Sequence, residues 1–253
     1  LIFIIGPVVV TFLATAVHLL AGLIAIVVFA VAGGVALTLQ RRTDPPPRDR
    51  AEATGGSALR YGPLRLIVQV LIAIGAVFGA VEVIVVGFAD EAGQRSAAGW
   101  ILAIWAFASM CAGIVYGVIH WRGSPERRYL VTVAFMAASV LPLPFAPNLV
   151  VLAVVMLLAG GAISPMLISS FSLIEARVPA SHLTEGLTWA GTGIALGLTI
   201  GAAAGGRAVD TVGPSRAFLV PVATGLSAAV IAAFGARWLL RNAPTPDDRG
   251  GGG

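Results

Sequence analysis

The sequence predicts an all-α membrane protein with eight transmembrane helices, and three observations support this fold class. Hydrophobic residues make up 58% of the 253 residues, and a further 31 residues are glycine. Charged residues make up only 11%, less than half of the roughly 25% that is usual in soluble domains. Charge-free stretches long enough to cross a bilayer recur along the chain. A soluble protein of this size would need more polar side chains to cover its surface.

The first 40 residues contain no charged side chain, and a helix needs about 20 residues to cross a bilayer core about 30 Å thick. We therefore predict two helices in residues 1–40, with the break between His18 and Gly22. Because the chain enters an apolar run at Leu1, without a charged leader, we expect no signal peptide and we expect that upstream sequence is missing. Residues 41–62 are predicted to be a polar loop, since they begin with two arginines and soon contain three consecutive prolines.

Six further helices are predicted from the remaining apolar stretches. They cover residues 64–88, 97–120, 129–146, 149–173, 184–206 and 217–240. A cluster of Pro142, Pro144, Pro147 and Asn148 separates the third of these helices from the fourth, because such a cluster favours a turn. The predicted organisation is thus a helix pair in residues 1–40, a loop in 41–62, a six-helix bundle in 63–242 and a disordered tail in 243–253.

All 16 basic residues are arginine, and their order along the chain predicts an orientation. If residues 41–62 face the cytoplasm, thirteen arginines fall on the cytoplasmic side, as the positive-inside rule requires. The three on the outer side are Arg95, Arg207 and Arg216. This pattern predicts a multi-pass protein of the cell membrane with a cytoplasmic C-terminus. It also argues against a nucleic-acid partner, which would require basic residues clustered on one face.

The sequence lacks the residue patterns of hydrolases, metal sites and phosphate-binding loops. It contains three histidines and a single cysteine, Cys111, and the three histidines are too far apart for the H-E-x-x-H motif. The cysteine and histidine content is too low for a common metal-ligand set. No Walker A or G-x-G-x-x-G sequence is present. We therefore predict that the protein is not an enzyme and binds no cofactor or metal.

Glu82 is the one acidic residue well inside a predicted span, and it is the first candidate for function. An ionised side chain within a bilayer is costly, so it indicates a proton site or a partner for a cation. Gly75, Gly79 and Glu82 share one helix face, and the glycines allow another helix to approach closely. We expect Glu82 to face protein or water. The alternative is a protonated Glu82 in one interhelical hydrogen bond.

Residues 184–206 carry glycine at every fourth position and threonine on a different face. The glycines are Gly193, Gly197, Gly201 and Gly205. Such a ridge favours close helix packing. Thr188, Thr192 and Thr199 could line a polar path, or their hydroxyls could bond back to their own helix.

The helix predicted over 97–120 also contains candidate substrate contacts. Trp105, Ser109 and Tyr116 form an aromatic and hydroxyl stripe that either contacts an amphipathic substrate or packs in the core or against lipid.

Ser164 and Pro165 are predicted to interrupt the helix over 149–173, and Ser169 follows one turn later. A proline in a helix removes a backbone hydrogen bond and often marks a moving or binding element in transporters. A bent but inert helix is the alternative.

Several local patterns resemble motifs of the major facilitator superfamily. Gly6-Pro7 resembles the Gly-Pro core of the antiporter motif in helix five of that family. Residues 117–128 resemble its glycine- and arginine-rich loop between helices eight and nine, with Trp121 in place of the family's acid. The residues that match this conformational loop are Gly117, Arg122, Arg127 and Arg128. Residues 177–186 and 205–218 are similar to the loop between helices ten and eleven and to the end of helix eleven.

The resemblance implies helices five to twelve of a bacterial drug or metabolite efflux protein, that is, two helices of a truncated N-terminal half and a complete six-helix C-terminal half. In that family, the first and fourth helices of each half line the cavity, which corresponds here to 64–88 and 149–173. It implies a secondary active transporter of the inner membrane that exports a small amphipathic molecule by proton-coupled antiport. The implied partners are the bilayer, the substrate, protons and the missing N-terminal half. An eight-helix receptor, scaffold or assembly subunit is the alternative.

Overall fold

The structure is a computed structural model, and it describes residues 19–39, 56–119, 121 and 123–241. The chain forms two compact units, Leu1–Thr54 and Gly55–Gly253. The first predicted helix, the loop before Gly56 and the tail after Arg241 lie outside the described residues.

The first unit contains helix α1, Leu19–Leu39. Its 21 residues correspond to about 32 Å at about 1.5 Å per residue, which is enough to cross a bilayer core. The helix begins within the predicted break, in agreement with the second of the two helices expected in residues 1–40.

The second unit contains six helices that are long and apolar enough to cross a membrane. Their bounds, with one short helix between the last two, are α2 Gly62–Glu91, α3 Ala97–Val118, α4 Pro125–Ser139, α5 Leu149–Arg177, α6 Leu183–Val212, α7 Pro214–Ala217 and α8 Leu219–Arg241. No strand occurs within the described ranges. The prediction of an all-α membrane protein is therefore confirmed.

Local sequence signals set the ends of these helices. The Ser124 hydroxyl accepts a hydrogen bond from an amide in the first turn of α4, and Pro125 occupies the first helical position. Asn148 caps α5 in the same way. The predicted proline turn contains a short 3₁₀ helix, Leu143–Phe145. Gly213 adopts φ 82°, which glycine reaches without a Cβ penalty, and this separates α6 from α7.

Two parallel helix pairs make the most extensive contacts in the bundle. α2 packs against α6, and α3 packs against α5, while α4 lies beside α5 and α8. We name the end where α2, α4 and α6 begin the arginine-rich end. Five arginines whose side chains the structure describes lie there, namely Arg60, Arg65, Arg127, Arg128 and Arg177, against three at the opposite end, Arg95, Arg207 and Arg216.

The predicted interruption at Ser164-Pro165 is wrong, because α5 continues from Leu149 to Arg177 with Pro165 inside it. A proline removes one backbone hydrogen bond from a helix. A full break within a bilayer would leave several backbone groups without partners, which costs more. The continuous helix therefore has the lower cost.

Candidate functional site

Glycines on both partners bring the backbones of α2 and α6 into direct contact. A Cβ at any of four glycines would overlap a backbone carbonyl oxygen of the other helix, and these are Gly75, Gly79, Gly197 and Gly201. Gly197 lies on Ile72 and Gly201 on Ala76, so residue numbers rise together and the helices are parallel. The close helix approach predicted from both glycine stripes is confirmed.

Glu82 lies on α2 beside this glycine contact and is exposed within the unit. Phe78, one turn earlier, packs against Trp105 of α3, and Gly79 contacts α6. Glu82 therefore lies at the border between the side of α2 that faces α3 and the side that faces α6. It is about 8 Å along the axis from the middle of α2, at about 1.5 Å per residue. Among the described residues, no hydrogen bond or ion pair involves its carboxylate.

The threonines of α6 are exposed, and each hydroxyl bonds to its own helix. Thr188, Thr192 and Thr199 donate to the carbonyl oxygen four residues earlier, at 2.8, 2.9 and 3.0 Å. The back-bonding alternative is thus confirmed. Each oxygen keeps a lone pair with which it can still accept a hydrogen bond.

Hydroxyl groups pair between α3 and α5. Ser109 and Ser164 lie 2.8 Å apart, and Tyr116 and Ser169 lie 2.7 Å apart. The Ser169 hydroxyl also lies 2.7 Å from the Pro165 carbonyl oxygen, which can only accept. Ser169 has one hydroxyl proton and donates it to Pro165, so Tyr116 must donate to Ser169.

Four of the predicted substrate residues of α3 and α5 thus pair with one another across one helix interface. Trp105, Tyr116, Pro165 and Ser169 are buried, and the Trp105 ring packs against Phe78 of α2. Gly160 of α5 lies so close to α3 that a Cβ would overlap the Trp105 carbonyl oxygen. The remaining candidates, Thr188 and Thr192, lie on α6 and are not part of this group.

The residues of the predicted conformational loop occupy different environments. Gly117 is exposed, and a Cβ there would meet nothing within 4 Å. Arg127 is exposed, whereas Arg128 is half-buried and its buried Nε has no hydrogen-bond partner among the described residues. Arg122 lies outside the described residues. Trp121, in place of the family's acid, stacks on Tyr116 with ring centroids 4.5 Å apart.

A buried ion pair at the arginine-rich end was missed by the sequence reasoning. The Glu126 carboxylate accepts hydrogen bonds from two nitrogens of Arg177, at 2.6 and 2.8 Å. The two side chains are 3% and 9% exposed, so the pair is shielded from water. It joins the first turn of α4 to the last turn of α5. Glu126 therefore supplies an acid in the loop region where position 121 has none.

The end of the predicted polar loop is fastened to α6. The Ser57 hydroxyl donates to the Glu185 carboxylate at 2.7 Å, and the Trp189 indole donates to the same oxygen at 3.2 Å. The buried ring of His182 donates from Nε2 to the Gly56 carbonyl oxygen at 3.2 Å. Nothing in the sequence spacing relates Ser57 to a residue 128 positions later.

Two surface cavities lie away from these residues. One, of about 420 Å³, lies at the end opposite the arginine-rich end and is lined by residues that include Phe88, Glu91, Asn148 and Ser215. The other, of about 230 Å³, is an apolar groove between α4 and α8. Neither is lined by a predicted site residue. Within the described residues, no group of three His, Cys, Asp or Glu side chains could hold a metal ion.

The family model of the Major Facilitator Superfamily matches residues 66–252. The chain belongs to the Major Facilitator Superfamily. Its six membrane-length helices fit a C-terminal half of that fold. Superfamily members are membrane transporters, so the assignment supports transport rather than catalysis. Comparison with curated proteins gives no match. Comparison with solved structures gives no match either.

Proposed function

We propose that this superfamily member is a secondary active transporter that exports a small amphipathic molecule in exchange for protons by alternating access. The observation that carries the proposal is the carboxylate of Glu82, which lies well inside a membrane-length helix and has no partner among the described residues. The proposed location is a bacterial inner membrane, with the arginine-rich end in the cytoplasm.

The chemistry of Glu82 supports a coupling role. An ionised carboxylate facing lipid is costly, so the exposed side of Glu82 should face protein or water in the membrane. A lone carboxylate in a poorly polar environment becomes neutral by taking up a proton or by pairing with a cation. Either event changes the charge of the site by one unit, and this is the property that couples a substrate to a proton gradient.

The distribution of arginines supports the proposed orientation. Five arginines with described side chains lie at the arginine-rich end and three at the opposite end. The backbones of residues 237 and 241 also lie at the arginine-rich end, since α8 runs toward it. Short segments rich in arginine stay in the cytoplasm during insertion.

Alternating access needs a second wall for the substrate path, and the proposal assigns it to an N-terminal half of the same protein. The exposed face of α6, with Thr188 and Thr192, presents hydroxyl oxygens that can accept hydrogen bonds. We include this face in the proposed path, together with the side of α2 that carries Glu82.

The test is transport by the full-length protein in proteoliposomes with three fluorescent amphipathic probes, ethidium, rhodamine 6G and Hoechst 33342. We expect Glu82→Gln to reduce flux driven by a pH gradient at least tenfold, because the amide cannot take up the proton. Glu91→Gln is the matched control, since it removes an acid from the end of the same helix. That control should stay within twofold of the wild type.

Two results would contradict the proposal. Unchanged pH-driven flux in Glu82→Gln would remove Glu82 from coupling. Absence of pH-driven movement of all three probes by the wild-type protein would reject the export of amphipathic molecules.

A further inference from the structure

α3 is fastened to α5 on both sides of Pro165. Ser164 directly precedes the proline and pairs with Ser109, and Ser169 follows one turn later and pairs with Tyr116. The proline site, which sequence reasoning marks as a moving element, therefore lies between two interhelical hydrogen bonds. A hinge at this site would have to break at least one of them.

The backbones at this site are also held at a fixed distance. A Cβ at Gly160 would overlap the carbonyl oxygen of Trp105, and a Cβ at Gly113 would lie 3.0 Å from the Cβ of Ser164. Glycines on both helices thus allow the contact that the hydroxyl pairs require. At these two positions, α5 has little room to move closer to α3.

The Tyr116–Ser169 pair is shielded from water. Tyr116 is 7% exposed and Ser169 is fully buried. Tyr116 donates to Ser169, and Ser169 donates to the Pro165 carbonyl oxygen. The Ser169 hydroxyl proton is therefore donated within α5, and the Ser169 oxygen accepts the hydrogen bond from Tyr116 of α3. Neither group has an unused proton to offer to a substrate.

We propose that Tyr116 and Ser169 are positioning residues that hold the Pro165 segment rigid, so that α3 and α5 move as one body during transport. This rests on the proposed transport function. It assigns the two side chains to the rate of the conformational change rather than to substrate affinity. A cavity role would instead make substrate affinity depend on them.

The first experiment measures the shape of α5 in the full-length protein by double electron–electron resonance. Spin labels are attached at Val150→Cys and Ala176→Cys, two exposed positions on either side of Pro165, in a Cys111→Ser background. The 26-residue separation corresponds to about 39 Å at about 1.5 Å per residue. We expect one narrow distance distribution in nanodiscs at both pH 5 and pH 8.

Removing the hydrogen bond between Tyr116 and Ser169 should change that distance distribution. We expect Tyr116→Phe and Ser169→Ala to broaden it, whereas Ser139→Ala should leave it narrow. Ser139 is the matched control, since its hydroxyl bonds within its own helix α4 to the Met136 carbonyl oxygen. The proposal is overturned if the wild-type distance shifts between the two pH values. It is also overturned if the distance distribution stays narrow in both Tyr116→Phe and Ser169→Ala.

The second experiment separates positioning from substrate contact by transport kinetics with ethidium. We expect Tyr116→Phe and Ser169→Ala each to lower kcat three- to tenfold with KM within twofold. The double variant should be no slower than the slower single variant, because both substitutions break the same contact. A rise in KM with unchanged kcat would overturn the positioning role. The distance measurement does not require transport. It therefore tests the rigidity of α5 even if the proposed transport function fails, and the two failures can be told apart.

Discussion

The two parallel helix pairs of the bundle differ in what lies between them. α2 and α6 meet with glycine against backbone, and α3 and α5 meet with hydroxyl groups paired across the interface. Lipid tails are as apolar as leucine, so burying apolar side chains does not drive association of helices in a bilayer. Close backbone contact and interhelical hydrogen bonds are the two remaining ways to hold a pair. The α2–α6 pair uses close backbone contact, whereas the α3–α5 pair adds interhelical hydrogen bonds to a close contact at Gly160.

The difference teaches how each pair should respond to substitution. At the glycine contact, any side chain meets a backbone carbonyl that cannot rotate away, so the response should be abrupt. At the hydroxyl contact, one lost hydrogen bond costs on average about 0.6 kcal/mol in a membrane protein, so the response should be graded. Substitutions in the two interfaces can therefore be ranked before they are made.

The largest effect is expected from Gly201→Ala. Its methyl group would overlap the Ala76 carbonyl oxygen, so α2 and α6 must separate. We expect a loss of at least about 3 kcal/mol, the upper end of typical overpacking costs. Gly191→Ala on the same helix is the matched control, since a Cβ there meets nothing within 4 Å. The control should be neutral or stabilising by up to about 1 kcal/mol.

Thermal melting in detergent, followed by tryptophan fluorescence, measures both glycine variants. Equal melting temperatures for Gly201→Ala and Gly191→Ala would show that the backbone contact does not hold the pair.

A smaller effect is expected from Glu126→Gln, which breaks the buried pair that ties α5 to α4. Removing the Glu126 charge deprives the buried Arg177 guanidinium of this counter-charge, at a cost of about 3 kcal/mol or somewhat less, since the amide can still accept a hydrogen bond. The control is Asp90→Asn in the exposed Asp90–Arg95 pair, whose atoms lie 4.0 Å apart. That change should cost less than about 1 kcal/mol. Chemical unfolding in mixed micelles compares the two, and similar losses would contradict the role of burial.

The smallest effect is expected from Thr192→Val. Its hydroxyl bonds within α6 and is exposed, so the change should stay within about 0.5 kcal/mol. Ser109→Ala removes a hydroxyl that joins two helices, and it should cost more, about 0.6 kcal/mol or above. Melting temperatures of the two variants check this order. A larger loss for Thr192→Val would mean that the hydroxyls of α6 contribute more than those between α3 and α5.

The helices could be predicted from the sequence because the bilayer imposes a length and excludes charge. The structure places α2 at Gly62–Glu91 and α6 at Leu183–Val212, against predictions of 64–88 and 184–206. One clear error lies at the end of α6, which continues past Arg207 and Asp210. Charged residues end the membrane core but not the helix, because a helix can project into the polar interface.

The glycine contact could also be predicted, because a four-residue period depends on one helix alone. The tertiary polar contacts could not. Glu126 meets Arg177 and Ser57 meets Glu185 only because the ends of distant helices lie side by side. The prediction at Pro165 is wrong for another reason, since a helix in a bilayer loses less by one missing backbone hydrogen bond than by a full break.

The glycine contact also has a consequence for biosynthesis. Gly75 rests on Ile194, which leaves the ribosome more than a hundred residues later. At about 5 to 20 residues per second, α2 waits roughly 6 to 24 s for its parallel neighbour. During that delay the glycine face of α2 faces lipid or a membrane chaperone instead of α6. Nascent chains that stall before α6 emerges should therefore be the ones that quality-control proteases remove.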